Sequence, residues 1–128
     1  MTFETATRGQ NFYEADRNLH AVLGRLAPDA LAKWTDTLSD FGAWVGSAVD
    51  EEAEFTDRDA RPVLETYDRD GETVNRIRYN PVWRRISAEA YRRGVVGLNY
   101  GDDPAPYLVT FAMGYLLSQS DVSLHCPV

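Results

Sequence analysis

The stretch GDDPAPYLVTFAMGYLLSQ, residues 101–119, decides the fold of this chain. Between residues 107 and 117 only Thr110 and Gly114 interrupt its apolar side chains. A helix at a protein surface normally keeps one polar stripe, and this stretch has none. We therefore expect a helix over residues 104–119 that is covered on two sides and has more apolar surface than its own neighbours can shelter.

The start of this helix carries a capping signal. Asp103 precedes Pro104, and proline fits the first turn of a helix because the N–H that it lacks would be unpaired there in any case. We interpret Asp102 and Asp103 as helix-capping residues and not as a pair of catalytic carboxylates.

Three further helices are predicted from similar signals. Asp16 is placed to cap a short amphipathic helix. Pro28 opens a long one-sided helix, which the acidic stretch DEEAEFTDRDARP, residues 50–62, is expected to break. The stretch NPVWRRISAEAYRRG, residues 80–94, has a cap residue, a proline and a terminal glycine in the order that a helix requires.

Between the second and the third of these helices the period changes. VLETY and TVNRIRY are rich in β-branched and aromatic residues, and DRDGE separates them, so they predict a small antiparallel hairpin. The turn has two aspartates at the spacing of a calcium loop, Asp68 and Asp70. The twelfth loop position is Ile77 in place of the glutamate that such a loop needs, so we reject calcium.

Length and composition bound the class of protein. A chain of 128 residues suits one domain, and no run approaches the roughly 18 apolar residues that span a bilayer. The first residues do not resemble a secretory signal, so we expect a cytoplasmic location without membrane contact. The predicted fold is mainly α: a single helical domain over residues 1–128, with about four to five helices and one small β-hairpin.

Charge is distributed unevenly along the chain. The net charge is -7, yet six arginines stand between residues 76 and 93 against the single acid Glu89. Two interpretations stay open: these arginines are solvated or pair with the acidic helix, or they contact a phosphate-bearing ligand or a partner chain. The net charge gives no support for nucleic acid binding by this segment.

Candidate catalytic and metal-binding residues are few. One cysteine and two histidines are too sparse for a standard zinc site. His125 and Cys126 are adjacent, and neighbours in sequence do not face each other on a helix, so we interpret Cys126 as a buried structural cysteine. The chain has no phosphate loop, nucleophile elbow or metal-binding helix motif. We predict neither a catalytic residue nor a metal site.

An aromatic stripe runs along the predicted last helix from Tyr107, with one member every four residues. It is either core packing or an apolar wall beside which a long acyl or aromatic ligand lies. Polar groups follow where the wall ends. The candidate substrate-lining residues are Phe111, Tyr115, Gln119, Ser120 and Ser123.

Three stretches together resemble a known family. They are NFYEADRNLHAVL, RPVLETYDRDGETVNRIRYNPVWRRI and YLLSQSDVSLHCPV, which cover residues 11–23, 61–86 and 115–128. In this order and spacing they resemble the amino-terminal region of the acyl-CoA dehydrogenase flavoproteins, in the branch of the bacterial adaptive response protein AidB.

The resemblance implies an enzyme of three parts, a helical amino-terminal domain, a middle β domain and a carboxy-terminal helical domain, usually assembled as a tetramer. Its FAD and the glutamate that abstracts the proton of the acyl-CoA substrate would belong to the later parts. This chain would then be a piece of the parent, with no cofactor of its own and with the remaining domains as partners. The helix 104–119 and the turn 120–123 would form part of the wall around the acyl chain.

Two alternatives remain beside this reading. The chain is a stand-alone helical interaction module that self-associates through the helix 104–119. Or it is part of a DNA-protecting protein of the AidB type, which predicts salt-dependent duplex binding.

Overall fold

The computed structural model describes residues 8–126. Pro127 and Val128, which close the third matching stretch, lie outside these residues. The described helices and strands, in chain order, are α1 Phe12–Ala15, α2 Arg17–Leu26, α3 Pro28–Trp44, α4 Asp50–Asp59, β1 Val63–Tyr67, β2 Thr73–Arg78, α5 Pro81–Arg92 and α6 Tyr107–Ser120. The prediction of a mainly α fold with one antiparallel hairpin is confirmed.

Two predicted helix starts are confirmed in atomic detail. Oδ1 of Asp16 accepts a hydrogen bond from the backbone N–H of Leu19 at 2.8 Å, at the start of α2. Oδ1 of Asn80 accepts one from the N–H of Trp83 at 2.8 Å, at the start of α5. Each side chain satisfies one of the amides that a helix N-terminus leaves unpaired.

The predicted start of the last helix was wrong. α6 begins at Tyr107 after Pro106 and has no side-chain cap. The residue before a proline is driven out of the helical region, so the second proline of PAP delays the helix beyond it. Asp103 is therefore no cap: it forms an ion pair with Lys33 at 2.5 Å.

The predicted break in the long helix was also wrong. α3 passes through a π-helical segment, Val45–Val49, directly into α4, which continues to Asp59. The acidic residues do not stop it, because glutamate is a good helix former and Glu52 pairs with Arg85 at 2.5 Å.

The π-helical segment coincides with a close contact to the start of the chain. The carbonyl of Gly46 accepts a hydrogen bond from the N–H of Gly9 at 3.1 Å, outside the helix. A Cβ atom on Gly46 would lie 1.7 Å from the carbonyl oxygen of Gln10. Only glycine lets the two backbones approach this closely. The short helix α1, which the sequence analysis did not predict, follows at once and packs on α3.

The core lies between α3 and α6. The largest side chains with almost no exposure are Tyr13, Phe41, Leu38, Met113, Leu116, Leu117, Val45, Val49 and Val109. Elements that pack on α6 are α3, the π-helical segment and two 3₁₀ turns, Gly97–Asn99 and Val122–Leu124. Together these elements bury half of the residues of α6.

The hairpin contributes little to this core. Most of its side chains are exposed. Leu64 pairs across the strands with Ile77, and these two side chains are 65% and 56% exposed. The turn is held by Oδ1 of Asp68, which accepts from the N–H groups of Asp70 and Glu72 at 2.9 and 3.0 Å. Asp68 therefore serves as a turn residue.

Candidate ligand-facing surface on the last helix

One face of α6 remains uncovered, and it is aromatic. Tyr107, Phe111 and Tyr115 are 61%, 64% and 49% exposed, while half of the residues of the helix are buried. The rings of Tyr107 and Phe111 lie 6.3 Å apart between centroids. We call these three side chains the aromatic stripe. Its interpretation as core packing was wrong, since the stripe faces outward.

The last member of the aromatic stripe is fixed by a distant carboxylate. The hydroxyl of Tyr115 donates a hydrogen bond to Oδ2 of Asp16 at 2.7 Å. The other oxygen of Asp16 caps α2. One carboxylate therefore ties the outer face of α6 to the start of α2.

This contact shifts the pKa of both groups. For Asp16, burial acts to raise the pKa, but the hydrogen bonds from the N–H of Leu19 and the hydroxyl of Tyr115 outweigh it, so the pKa lies below 3.8. For Tyr115, the hydrogen bond to Asp16, then burial, raise the pKa above 10.0. The carboxyl is therefore ionised and the phenol neutral near neutral pH.

A groove of about 670 Å³ lies where the aromatic stripe ends. Gln119 continues the line of the stripe into it, and Phe12 supplies an aromatic wall. Asp16 and Asp50 are two acidic lining residues, with Arg17 beside them. We call this space the acidic groove.

The two serines of the predicted site have different positions. The hydroxyl of Ser120 donates to Oδ1 of Asp50 at 3.2 Å and so borders the acidic groove. Ser123 accepts from the indole N–H of Trp83 at 2.9 Å and donates to Asp121 at 2.6 Å. Ser123 therefore joins the turn after α6 to α5 and is not among the residues that line the acidic groove.

The adjacent histidine and cysteine do not meet as a reactive pair. The ring of His125 lies against α6, where a Cβ on Gly114 would be 2.2 Å from its Nε2. Its Nδ1 is 3.4 Å from the hydroxyl of Ser118. Cys126 is exposed, so its interpretation as a buried cysteine was wrong. The chain turns outward after Leu124, which is the last buried residue of this turn.

Neither metal-binding groups nor bilayer-spanning helices are found between residues 8 and 126. No three histidine, cysteine or acidic side chains in this part of the chain are grouped so as to hold a metal ion. No helix within it is both long and apolar enough to cross a bilayer.

A family model described as the adaptive response protein AidB N-terminal domain matches residues 4–128. The chain belongs to this family. Among proteins with curated descriptions, none is significantly similar to it in sequence.

Two solved structures of larger proteins contain a region that is similar in fold to this chain. The crystal structure of Caenorhabditis elegans ACDH-11 in complex with C11-CoA is 25% identical, with a TM-score of 0.77 over 99% of this chain and 22% of that chain. Bd2924 in its apo form is 23% identical, with a TM-score of 0.73 over 89% of this chain and 23% of that chain. The chain thus spans less than a quarter of the length of either structure, and its fold is that of an acyl-CoA dehydrogenase domain.

Two carboxylates of this AidB N-terminal domain were not predicted as site residues. Asp16 was recognised as a helix cap, but its second oxygen meets Tyr115, and the two residues are 99 positions apart in the chain. Asp50 stood in an acidic stretch that was expected to end a helix. The signal that could have found it is the run of good helix formers that follows it, residues 51–54.

Proposed function

We propose that this chain is the amino-terminal domain of an acyl-CoA dehydrogenase-type flavoprotein and is not catalytic alone. The aromatic stripe and the acidic groove would form part of the wall beside the acyl chain and the contact with neighbouring domains. One observation carries this proposal: the single uncovered face of the most buried helix is made of aromatic rings. Large exposed apolar patches on soluble domains usually mark such contacts.

The comparisons support this proposal at the level of the domain. The matched structures are four to five times longer than the part that resembles this chain. ACDH-11 was crystallised with C11-CoA, an acyl-CoA, so an acyl-CoA is the substrate class that we propose for the parent protein. We also propose a cytoplasmic location, with which a chain that has one cysteine is compatible.

The contribution of this chain would be shape and exclusion of water. A wall of Phe111 and Tyr115 would lie along a flexible acyl chain and keep solvent away from the reacting carbons. Tyr115 suits this task because its bond to Asp16 holds the ring in one position. Gln119 and Ser120, at the polar end, would border the place where the apolar chain ends.

The acidic groove does not fit FAD. Asp16 and Asp50 line it, and their charges would repel the pyrophosphate of a dinucleotide. When bound elsewhere in the parent protein, a flavin would accept a hydride from the acyl chain. We therefore assign FAD to the parent protein and to domains other than this one.

The reading frame downstream of Val128 tests the proposal directly. A frame that continues into a flavin-binding domain supports it, and a stop codon without a neighbouring flavoprotein gene contradicts it. In the parent protein, Phe111→Ala should raise KM for long-chain acyl-CoA more than for short-chain acyl-CoA. Val122→Ala is the matched control, because Val122 is 63% exposed, as against 64% for Phe111, and lies outside the aromatic stripe.

A second candidate function rests on the same exposed face. The aromatic stripe is also suited to bury itself against a second copy of the chain, which would make the protein a stand-alone dimerisation module. Light scattering separates the two functions: a colourless dimer that Phe111→Ser converts to monomer favours the module, whereas a yellow oligomer that contains further domains favours the enzyme.

A further inference from the structure

A second groove lies at the base of the hairpin, between the end of α4 and the start of α5. Its volume is about 450 Å³, and its charged lining residues are Arg61, Arg78 and Arg84. No acidic side chain lines it. We call it the basic groove, and we propose that it binds a small organic phosphate, such as a nucleoside diphosphate.

Two of the three arginines form no ion pair with any residue that the structure describes. Within residues 8–126, neither Arg78 nor Arg84 has a carboxylate within ion-pair distance. Their neighbours in sequence behave differently, since Arg76 pairs with Glu65 at 2.6 Å and Arg85 pairs with Glu52 at 2.5 Å. In an acidic chain most cations find an acid, so two unpaired guanidinium groups in one groove suggest an anion from outside.

The third arginine is oriented and still has donors to offer. Nε of Arg61 donates to the carbonyl of Asp57 at 2.6 Å, and one terminal nitrogen lies 3.2 Å from the carboxylate of the same residue. A guanidinium carries five N–H donors, so some of them remain available. Three planar guanidinium groups suit the tetrahedral oxygens of a phosphate, which accept paired hydrogen bonds.

One lining side chain of the basic groove, that of Asn80, joins the elements around it. Asn80 caps α5 with its oxygen, and its amide nitrogen donates to Oγ1 of Thr56 at 3.0 Å and to the carbonyl of Ala60 at 2.9 Å. The end of α4, the exit of β2 and the start of α5 are thereby joined. This fixes the backbone positions from which the three arginines extend, so less ordering is required when an anion binds.

Size and charge favour a small ligand over a nucleic acid. The volume of the basic groove falls within the range of about 300–1,000 Å³ that is typical of small-molecule sites. The net charge of -7 would repel a long polyanion over the rest of the surface, whereas a single phosphate group senses mainly the groove. Tyr79 lines the groove and is stacked on Trp83 with ring centroids 4.1 Å apart, which gives the ligand a firm aromatic wall.

Titration calorimetry of the chain tests this site with defined probes. We expect the wild type to bind inorganic pyrophosphate and ADP but not adenosine, which lacks a phosphate. The double variant Arg78→Ala, Arg84→Ala should bind ADP at least about tenfold more weakly, since hydrogen bonds to charged groups are strong. Arg25→Ala, Arg69→Ala is the matched control, with the same loss of charge outside both grooves, and its affinity should stay within about twofold, since screening weakens distant charges.

Three results would overturn the proposal. They are no binding of pyrophosphate or ADP by the wild type, an equal loss in both double variants, and tighter binding of a short duplex DNA than of ADP. The last would mean a nucleic acid surface in place of a small-molecule site. If the alanine variant does not fold by circular dichroism, Arg78→Gln and Arg84→Gln, each on its own, carry the same expectation.

Discussion

The hydroxyl of Tyr115 donates a hydrogen bond to Oδ2 of Asp16 at 2.7 Å, and so joins the outer face of α6 to the cap of α2. Tyr115→Phe removes this bond and leaves the ring in place. We expect a loss of about 1 kcal/mol in the free energy of unfolding, measured by urea denaturation at neutral pH. Tyr107→Phe is the control, because it makes the same change on the same stripe and the hydroxyl of Tyr107 has no hydrogen-bond partner among the described residues.

The loss caused by Tyr115→Phe should depend on pH with a defined sign. The folded pKa of Asp16 is lowered, so the stability that it contributes is present above its ordinary pKa of 3.8 and is lost as pH falls through the folded pKa. The folded pKa of Tyr115 is raised, so its contribution is present below 10.0 and is lost as pH rises through the folded pKa. The difference between wild type and variant should therefore be largest between these limits. A difference that stays constant from acid to alkali would contradict this assignment.

Gly46 should tolerate no side chain. Gly46→Ala places a Cβ where only 1.7 Å separates it from the carbonyl oxygen of Gln10, so the first turn must move away from the helix. We expect a loss of about 1–3 kcal/mol in the free energy of unfolding. Gly97→Ala is the control, since its Cβ would have no neighbour within 4 Å, and it should change stability by less than about 0.5 kcal/mol. Equal effects of the two substitutions would refute the close contact.

Asn80 has two roles that substitutions can separate. Asn80→Ala removes the cap of α5 and the bonds to α4, and we expect a loss of about 2 kcal/mol. Asn80→Ser keeps an acceptor for the cap but removes the amide that donates to Thr56 and Ala60, so it should lose roughly half as much. Asn18→Ala, at an exposed position in the first turn of α2, is the control. Thermal unfolding of the four proteins checks the order, and a neutral Asn80→Ala would show that this junction is not needed.

The aromatic stripe should govern the binding of a hydrophobic dye. Phe111→Ser replaces an exposed ring, so the fluorescence of anilinonaphthalene sulfonate bound to the chain should fall while stability changes by less than about 0.5 kcal/mol. Val122→Ser, at a side chain that is 63% exposed, should leave the fluorescence almost unchanged. If the wild type binds no dye, the aromatic stripe is not a surface that binds apolar ligands.

The sequence predicted α2, α5 and the hairpin because their signals are local. Asp16 and Asn80 are read as caps from the residues that follow them, and the turn between β1 and β2 is read from its aspartates and glycine. The start of α6 was misplaced because a second proline overruled the first. The contact of Gly46 with Gln10 has no local signal, since neither residue type predicts a partner so far away along the chain.

The direction in which α6 faces could not be read from its composition. Residues on all sides of the helix are apolar, so the sequence pattern does not predict which side faces the solvent. Two groups outside the helix settle it: Asp16 holds the hydroxyl of Tyr115, and the ring of His125 fills the space that Gly114 leaves. Packing partners, rather than hydrophobicity, therefore decide which aromatic rings meet the solvent.

The exposed hairpin has a consequence for local unfolding of this domain. A lone two-stranded ribbon is marginally stable in water, and Leu64 and Ile77 shelter each other only in part. Amide protons of β1 and β2 should therefore exchange through a local opening that leaves the helices intact. Those in the middle of α6 should exchange only when the entire domain unfolds.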